Sequence, residues 1–186
     1  MAKLVYAPIT SLDGYTTDAE GGFEWAAPDD EMFEAVNELE RGFGTCLYGR
    51  RMYETLLSWE SFEASEGTAP AVAAFAEIWR AADKVVYSRT LDAVSSAKTR
   101  LERAFDADTV RQMKATVDHD IAIGGPELAG QALAAGLVDE VHLFVHAVTV
   151  GGGTPAWPAN VRSDLELLGQ QRFGSGALHL HYRVEH

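Results

Sequence analysis

Cysteine is nearly absent: Cys46 is the only one in 186 residues. A lone thiol cannot form an internal disulfide, and its apolar neighbours suit a buried side chain in a reducing, cytoplasmic setting. Positive charge is also scarce. Fifteen Lys and Arg face 28 Asp and Glu, for a formal net charge of −13. That balance excludes a general nucleic-acid surface. A phosphorylated ligand would need a local basic cluster, and Arg50-Arg51 and Arg89 are the candidates. No apolar run approaches the roughly 20 residues of a membrane helix. Met1-Ala2-Lys3-Leu4-Val5-Tyr6 enters a strand-like run at once, without a signal-peptide pattern. Repeats, low-complexity tracts and an interdomain linker are missing too. The expectation is one domain over residues 1–186.

What is present is an alternation of strands and helices. Ile121-Ala122-Ile123 reads as a buried strand. Gly124-Gly125 lets the backbone turn sharply, and Pro126 suits a first helical turn. The helix that follows aims free N–H groups and a positive dipole end at whatever lies above the glycines. Gly49-Arg50-Arg51 repeats this strand–turn–helix form after a strand at 45–48. Ser88-Arg89-Thr90 ends a third strand at 84–87. In open α/β sheets, ligands collect at such carboxyl ends, so three polar or glycine-bearing ends point to an anionic cofactor.

The remaining elements follow from periodicity and turn chemistry. A first strand is expected over 3–9, then a long polar loop to about Pro28. Pro28-Asp29-Asp30-Glu31 opens a helix with its acids at the favourable dipole end. Further helices start at Pro70 and span about 107–117. A weaker strand lies within 99–105, and a long strand covers 138–150, placed as a possible sheet edge. Residues 165–173 and 177–185 form a hairpin about Gly174-Ser175-Gly176. The fold class is α/β, with a mostly parallel sheet and antiparallel strands at its C-terminal end.

Several stretches then form a familiar series. These are Ser11-Leu12-Asp13-Gly14, Trp25-Ala26-Ala27-Pro28-Asp29-Asp30, Gly49-Arg50-Arg51-Met52-Tyr53-Glu54 and Val86-Tyr87-Ser88-Arg89-Thr90. Ile123-Gly124-Gly125-Pro126-Glu127-Leu128, Gly136-Leu137-Val138-Asp139-Glu140-Val141 and Gly151-Gly152-Gly153-Thr154-Pro155 complete it. Over nearly the whole chain this order resembles the dihydrofolate reductase-like superfamily. The resemblance is closest to the branch named for the C-terminal reductase domain of the riboflavin-biosynthesis enzyme RibD. It implies a three-layer αβα sandwich, a homodimer and an NADPH-dependent reductase. Ala7 and Ile9 would line the nicotinamide, beneath a mobile loop containing Asp13, Gly14 and Tyr15. Gly124, Gly125, Glu127 and Leu128 would bracket the pyrophosphate. Gly49, Arg50 and Arg51 would receive phosphate, and Ser88 and Arg89 the adenosine 2′-phosphate. There is no Gly-x-Gly-x-x-Gly after the first strand, so this is not a Rossmann site.

The substrate implied is a pterin, pyrimidine or similar heterocycle. Asp30, in Trp25-x-x-Pro28-x-Asp30, matches the spacing of the substrate carboxylate of dihydrofolate reductases and is the first candidate for the catalytic acid. Asp13 is the rival, although a turn role explains it as well. Trp25 can stack on a flat ring or serve as a packing anchor. Two alternatives stay open. One is 5-amino-6-(5-phosphoribosylamino)uracil reduction, for which a second basic cluster is wanting and no deaminase zinc motif is fused. The other is a non-catalytic dinucleotide-binding dimer in which Asp30 only caps a helix. His142 and His146, and His179 and His181, share strand faces by alternation. With no thiolate or carboxylate to complete either pair, no metal site is expected.

Overall fold

Cys46, Leu47 and Tyr48 are consecutive and all buried. A strand buried on both faces needs cover on both, which is the signature of a parallel sheet between helices. The computed structural model, which describes residues 1–185, has that form. Its strands are β1 (Leu4–Tyr6), β2 (Ile9–Thr10), β3 (Tyr15–Thr17), β4 (Phe43–Gly49), β5 (Asp83–Tyr87), β6 (Thr99–Glu102), β7 (Asp120–Gly124), β8 (Glu140–Val145), β9 (Thr154–Pro155), β10 (Asp164–Arg172) and β11 (Leu178–Glu185). Its helices are α1 (Asp30–Glu40), α2 (Arg50–Leu56), α3 (Pro70–Ala81), α4 (Ala107–Thr116) and α5 (Pro126–Ala134).

The main sheet has nine strands in the order β10-β11-β8-β1-β7-β4-β5-β6, with β2 beside β8. From β8 to β6 the pairings are parallel. The β10–β11 hairpin joins β8 antiparallel. Alternation along the strands makes two core layers. Leu4, Tyr6, Leu47, Val85, Ile121 and Ile123 pack with α4 and α5, through Val110, Leu128, Ala132 and Leu133. Val5, Cys46, Tyr48, Val86 and Ala122 pack with α2 and α3, through Tyr53 and Trp79. A smaller cluster of Met32, Phe144, Phe173 and Ala177 seats α1 on the β8 and hairpin end. These layers are the expected αβα sandwich. Burial pushes the Cys46 thiol up to about 12, so at neutral pH it is an inert core group.

Three elements differ from the sequence reading. The first strand breaks after Tyr6, because Pro8 has no N–H to donate to a ladder. The strand expected over 138–150 is only Glu140–Val145. It lies inside the sheet between β1 and β11, so β10, not β8, is the edge. The hairpin pairs with it and covers the side that the sequence left open. The stretch from Ser11 to Pro28 is not wholly loop: Tyr15–Thr17 pairs antiparallel with Thr154–Pro155, and Glu24–Ala26 forms a 3₁₀ turn.

Candidate active site

The three strand ends picked out by the sequence stand side by side, joined by a fourth. Strands β1, β7, β4 and β5 are consecutive in the sheet and run parallel. Their carboxyl ends carry, in that spatial order, Ala7, then Gly124-Gly125, then Gly49-Arg50-Arg51, then Ser88-Arg89. Three interstrand gaps of about 4.8 Å make a row roughly 14 Å long. Chain order is different, since β7 is the latest of the four in sequence and lies second in space.

Backbone geometry shapes the middle of the row. Gly125 has φ +97°, a region that L side chains rarely adopt, and it caps α5 from there. The position of a Cβ on Gly125 lies 3.5 Å from the Gly49 amide nitrogen, so the two glycine turns abut. A Cβ on Gly124 would press on the Tyr48 ring at 2.9 Å. Leu128 is buried in the core and Glu127 is exposed in the first turn of α5. The N–H groups of that turn are therefore presented by a cradle without side chains of its own.

The basic end is also connected. Arg50 Nε donates to Glu54 at 2.8 Å and its Nη1 to Thr90 Oγ1 at 2.7 Å, which ties the β4 end to the β5 end. Arg51 and Arg89 are exposed. Ser88 is buried, and its Oγ accepts from the Thr90 and Leu91 amides at 3.2 and 3.0 Å. It shapes the turn that carries Arg89. Three arginines thus gather on a chain of net charge −13. Glycine cradle and arginines together fit the diphosphate and phosphate groups of a dinucleotide.

At the other end, Ala7 and Ile9 are half-buried. The loop after them, which holds Asp13, Gly14 and Tyr15, is hydrogen-bonded to the segment that follows β8. Asp13 accepts from the Val150 and Gly151 amides at 3.1 and 2.7 Å. Leu12 N donates to Val148 O and Ala156 N to Gly14 O. A Cβ on Gly153 would collide with the carbonyl oxygens of Thr17 and Asp18, so glycine is required there. The Tyr6 hydroxyl donates to Ala156 O at 2.9 Å and anchors the same segment to β1. The Ser11 hydroxyl, with the two amides, holds the Asp13 carboxyl below its ordinary range despite some desolvation. A carboxylate so engaged is a clamp.

The two acids of the Trp25-to-Asp30 stretch have separate fates. Asp29 is the N-cap of α1, accepting from Met32 N at 2.8 Å and from Ser175 N at 3.0 Å. Asp30 is exposed in the first turn of α1, and its carboxylate has no hydrogen bond among the described residues. Trp25 packs edge-on against His146, centroids 6.3 Å apart and planes at 80°. Trp25 Nε1 and His146 Nε2 are both buried and both lack a partner. His146 follows β8 directly, and its backbone N–H donates to Thr10 O at 2.8 Å. Sequence reasoning weighed His146 only as a metal ligand. Nothing in the chain order shows that Trp25 comes to lie on it.

One step of the histidine reading is corrected. A carboxylate does join the cluster, because β8 and β11 pair so that Glu140, His142 and His181 share a face. Their ligand atoms lie within 4.8 Å of one another. His181 Nε2 is 3.0 Å from Glu140 Oε2, and Lys3 Nζ is 2.7 Å from Glu140 Oε1. The His142 and His181 rings stack 3.9 Å apart at 23°, and His142 Nδ1 meets His179 Nε2 at 3.0 Å. A shared ion would require splayed rings, since the imidazole lone pair lies in the ring plane. The Lys3 ammonium pairs with one carboxylate oxygen, Oε1, while Oε2 faces the histidines. Burial, reinforced by neighbouring imidazoles, lowers His142 to about 4.

The fold is α/β, and glycine turns and arginines stand in a row at the carboxyl edge of its sheet. The chain belongs to the RibD C-terminal domain family, whose model matches residues 2–179. It is 24% identical to the uncharacterized protein YyaP of Bacillus subtilis (strain 168), over 97% of this chain and 94% of that protein. Among solved structures it is similar to a Shewanella sp. PV-4 protein named for riboflavin biosynthesis, with TM-score 0.75, 21% identity and full coverage of both chains. It is also similar to a pyrimidine reductase-like protein of Corynebacterium diphtheriae, with TM-score 0.68, 14% identity, and 100% of this chain against 92% of that one. The Thermotoga maritima diaminohydroxyphosphoribosylaminopyrimidine deaminase/5-amino-6-(5-phosphoribosylamino)uracil reductase matches with TM-score 0.67 and 15% identity. This chain covers 57% of that one.

Proposed function

We propose that this protein is an NADPH-dependent reductase of a pyrimidine, pterin or similar heterocycle. The family implies a nicotinamide dinucleotide, and one observation carries the reading. Four neighbouring strand ends offer, in line, an apolar end, a glycine cradle and an arginine cluster. A dinucleotide phosphorylated at its adenosine ribose has that same order of parts. Ala7 and Ile9 would face the nicotinamide. Gly124, Gly125, Glu127 and Leu128, with Gly49, would bracket the pyrophosphate. Arg50, Arg51 and Arg89, on the turn shaped by Ser88, would pair with phosphate through charge-assisted hydrogen bonds.

When bound, the cofactor supplies the hydride, and a proton completes the reduction of a C=N or C=O bond. The chain's own task is to orient, exclude water and deliver that proton. Asp13 is committed to the Val150 and Gly151 amides. Asp30, exposed in the first turn of α1, would deliver the proton.

Reduction of a phosphoribosyl-aminouracil is a second reading, supported by the family and by the name of the Thermotoga relative. The substrate end speaks against a phosphate there, because the start of α1 holds Asp29, Asp30 and Glu31. A homodimer is proposed through the hairpin. Leu167 and Leu178 share one face of it and are exposed by 50% and 39%. No helix among the described residues is long and apolar enough to cross a membrane. A cytoplasmic location is proposed from the single buried thiol.

The test is a titration of the cofactor-free protein with NADPH and NADH, followed by NADPH-consumption assays with pterins and aminopyrimidines, with and without a ribosyl phosphate. NADPH preference and turnover of an unphosphorylated acceptor support the first reading. An absolute need for the phosphate favours the second. Absence of nucleotide binding removes both.

A further inference from the structure

Three metal-ligating side chains meet on one face where the C-terminal hairpin joins the rest of the sheet. His142 of β8 and His181 of β11 are direct cross-strand partners. Glu140 stands two residues before His142 and so shares its face. The ligand atoms of the three all lie within 4.8 Å of one another. Glu140 Oε2 is the common point: His181 Nε2 lies 3.0 Å from it and His142 Nε2 3.9 Å. Two ligands held at about 2.1 Å by a tetrahedral ion are about 3.4 Å apart, between those two distances. Glu140 and His142 are each only 9% exposed, and the His181 side chain, at 28%, gives the opening to solvent. None of the three is assigned to the cofactor or to the proton.

We propose that Glu140, His142 and His181 bind one divalent transition-metal ion, of the chemistry of Zn²⁺, which ties β11 to β8. Two imidazoles and one carboxylate, without a thiolate, suit Zn²⁺ or Co²⁺, whereas Mg²⁺ and Ca²⁺ prefer oxygen ligands alone. Water takes the fourth position. An outer partner is also in place, because His142 Nδ1 lies 3.0 Å from His179 Nε2. With the hydrogen on Nδ1 in that contact, His142 Nε2 keeps its lone pair for the ion, and His179 fixes the ring. His181 Nε2–H donates to Glu140 Oε2, and the ion takes the place of that hydrogen. The two ring planes, stacked 3.9 Å apart at 23°, must tilt for both lone pairs to converge. That movement is a rotation about the Cβ–Cγ bonds, a torsion with broad wells in histidine. Lys3 holds only Oε1, at 2.7 Å, and leaves Oε2 to the ion. Its positive charge opposes a dication without blocking it. The cluster lies on the face of β11 opposite Leu178, so the proposed homodimer contact leaves it accessible.

The experiment uses the full chain, stripped of metal and without an affinity tag, with Zn²⁺, Co²⁺ and Mg²⁺ as probes. Binding is read by calorimetry, by the visible absorption of bound Co²⁺ and by the melting temperature. The proteins are wild type, Glu140→Gln, His142→Gln, His181→Gln, Lys3→Met and His119→Gln. The expected result is one Zn²⁺ per chain, a melting temperature that rises with Zn²⁺, a four-coordinate Co²⁺ spectrum and no response to Mg²⁺. Each of the three ligand variants should bind Zn²⁺ at least tenfold more weakly. Lys3→Met keeps every ligand and removes a repelling charge, so it should bind Zn²⁺ severalfold more tightly, a gain that misfolding cannot imitate. His119→Gln, outside the cluster, should bind as wild type does. Absence of Zn²⁺ binding by wild type overturns the proposal, as does unaltered affinity in the ligand variants. Affinity of Lys3→Met equal to or below wild type removes Glu140 from the ligand set and overturns it too. Weaker binding by His119→Gln places the ion at that histidine and likewise overturns it.

Discussion

Gly125 meets Gly49 across the sheet edge: the Cβ position of the first lies 3.5 Å from the backbone nitrogen of the second. Two turns separated by 76 positions thereby form one cradle. There is room for a methyl group at Gly125, but its φ of +97° is unsuited to an L side chain. Gly125→Ala is thus expected to cost about 1–2 kcal/mol of stability through the dihedral. It should also weaken NADPH binding as the α5 N-terminus shifts. Urea unfolding and nucleotide titration would check both. Unchanged affinity would remove the cradle from the cofactor site.

Arg89 is exposed on the turn built by Ser88. Its removal should leave folding untouched and reduce the preference for NADPH over NADH. A charge-assisted hydrogen bond contributes about 1.5–3 kcal/mol, so a drop of roughly ten- to a hundredfold is expected in Arg89→Ala. Nucleotide titrations of both proteins measure the ratio. An unaltered ratio would move the 2′-phosphate elsewhere.

Asp13 joins the loop after β2 to the Gly151-Gly152-Gly153 segment. In Asp13→Ala the amides of Val150 and Gly151 should exchange with solvent faster, with little change in the central strands. The melting temperature should fall modestly. Native-state hydrogen exchange resolves this residue by residue. Loss of turnover with unaltered exchange would instead make Asp13 a participant in the chemistry.

His142 gives stability a pH dependence of definite sign. Its folded pKa is lowered to about 4, below the ordinary 6.5, so between these values the unfolded chain binds more protons. Stability from this group is complete above about pH 6.5 and declines as pH falls toward 4. The full shift corresponds to about 3 kcal/mol, and solvent at the partly open His181 side reduces it to roughly 2. Glu140 adds a separate loss at lower pH. Burial pushes its carboxyl up, but Lys3 and His181 overcome this and hold it below the ordinary value. Urea midpoints at pH 7 and pH 5 should differ less in His142→Asn than in wild type. Equal pH dependence would show that other groups set the slope.

Asp30 and Asp29 can be separated by substitution. Asp29→Ala should destabilise α1, because it removes the bonds to Met32 N and Ser175 N. Asp30→Asn should cost less than about 1 kcal/mol, the loss of one acid at the helix dipole end, and, if Asp30 delivers the proton, lower kcat by a hundredfold or more. Steady-state kinetics with the best acceptor found would decide, and an unchanged kcat would assign the proton to solvent.

The local features of this protein were determined by its sequence. Runs such as Ile121-Ala122-Ile123 specify buried strands. Gly-Gly-Pro and Gly-Arg-Arg specify strand-to-helix turns, and the acids before Met32 specify a helix start. These follow from steric freedom, missing N–H groups and dipole ends, all of which act within a few residues. The ordered motifs also carried the family and hence the αβα fold. Tertiary structure alone decided the rest. The order β1-β7-β4-β5 depends on crossovers that local patterns do not encode, and it turns scattered turns into one row. Pairing of β11 with β8 placed Glu140 among the histidines and moved the sheet edge to β10. Packing of the loop before α1 brought Trp25 onto His146, 121 positions away, and left two nitrogens without partners. Burial and pairing over such separations are properties of the assembled chain, because each depends on where distant segments come to rest.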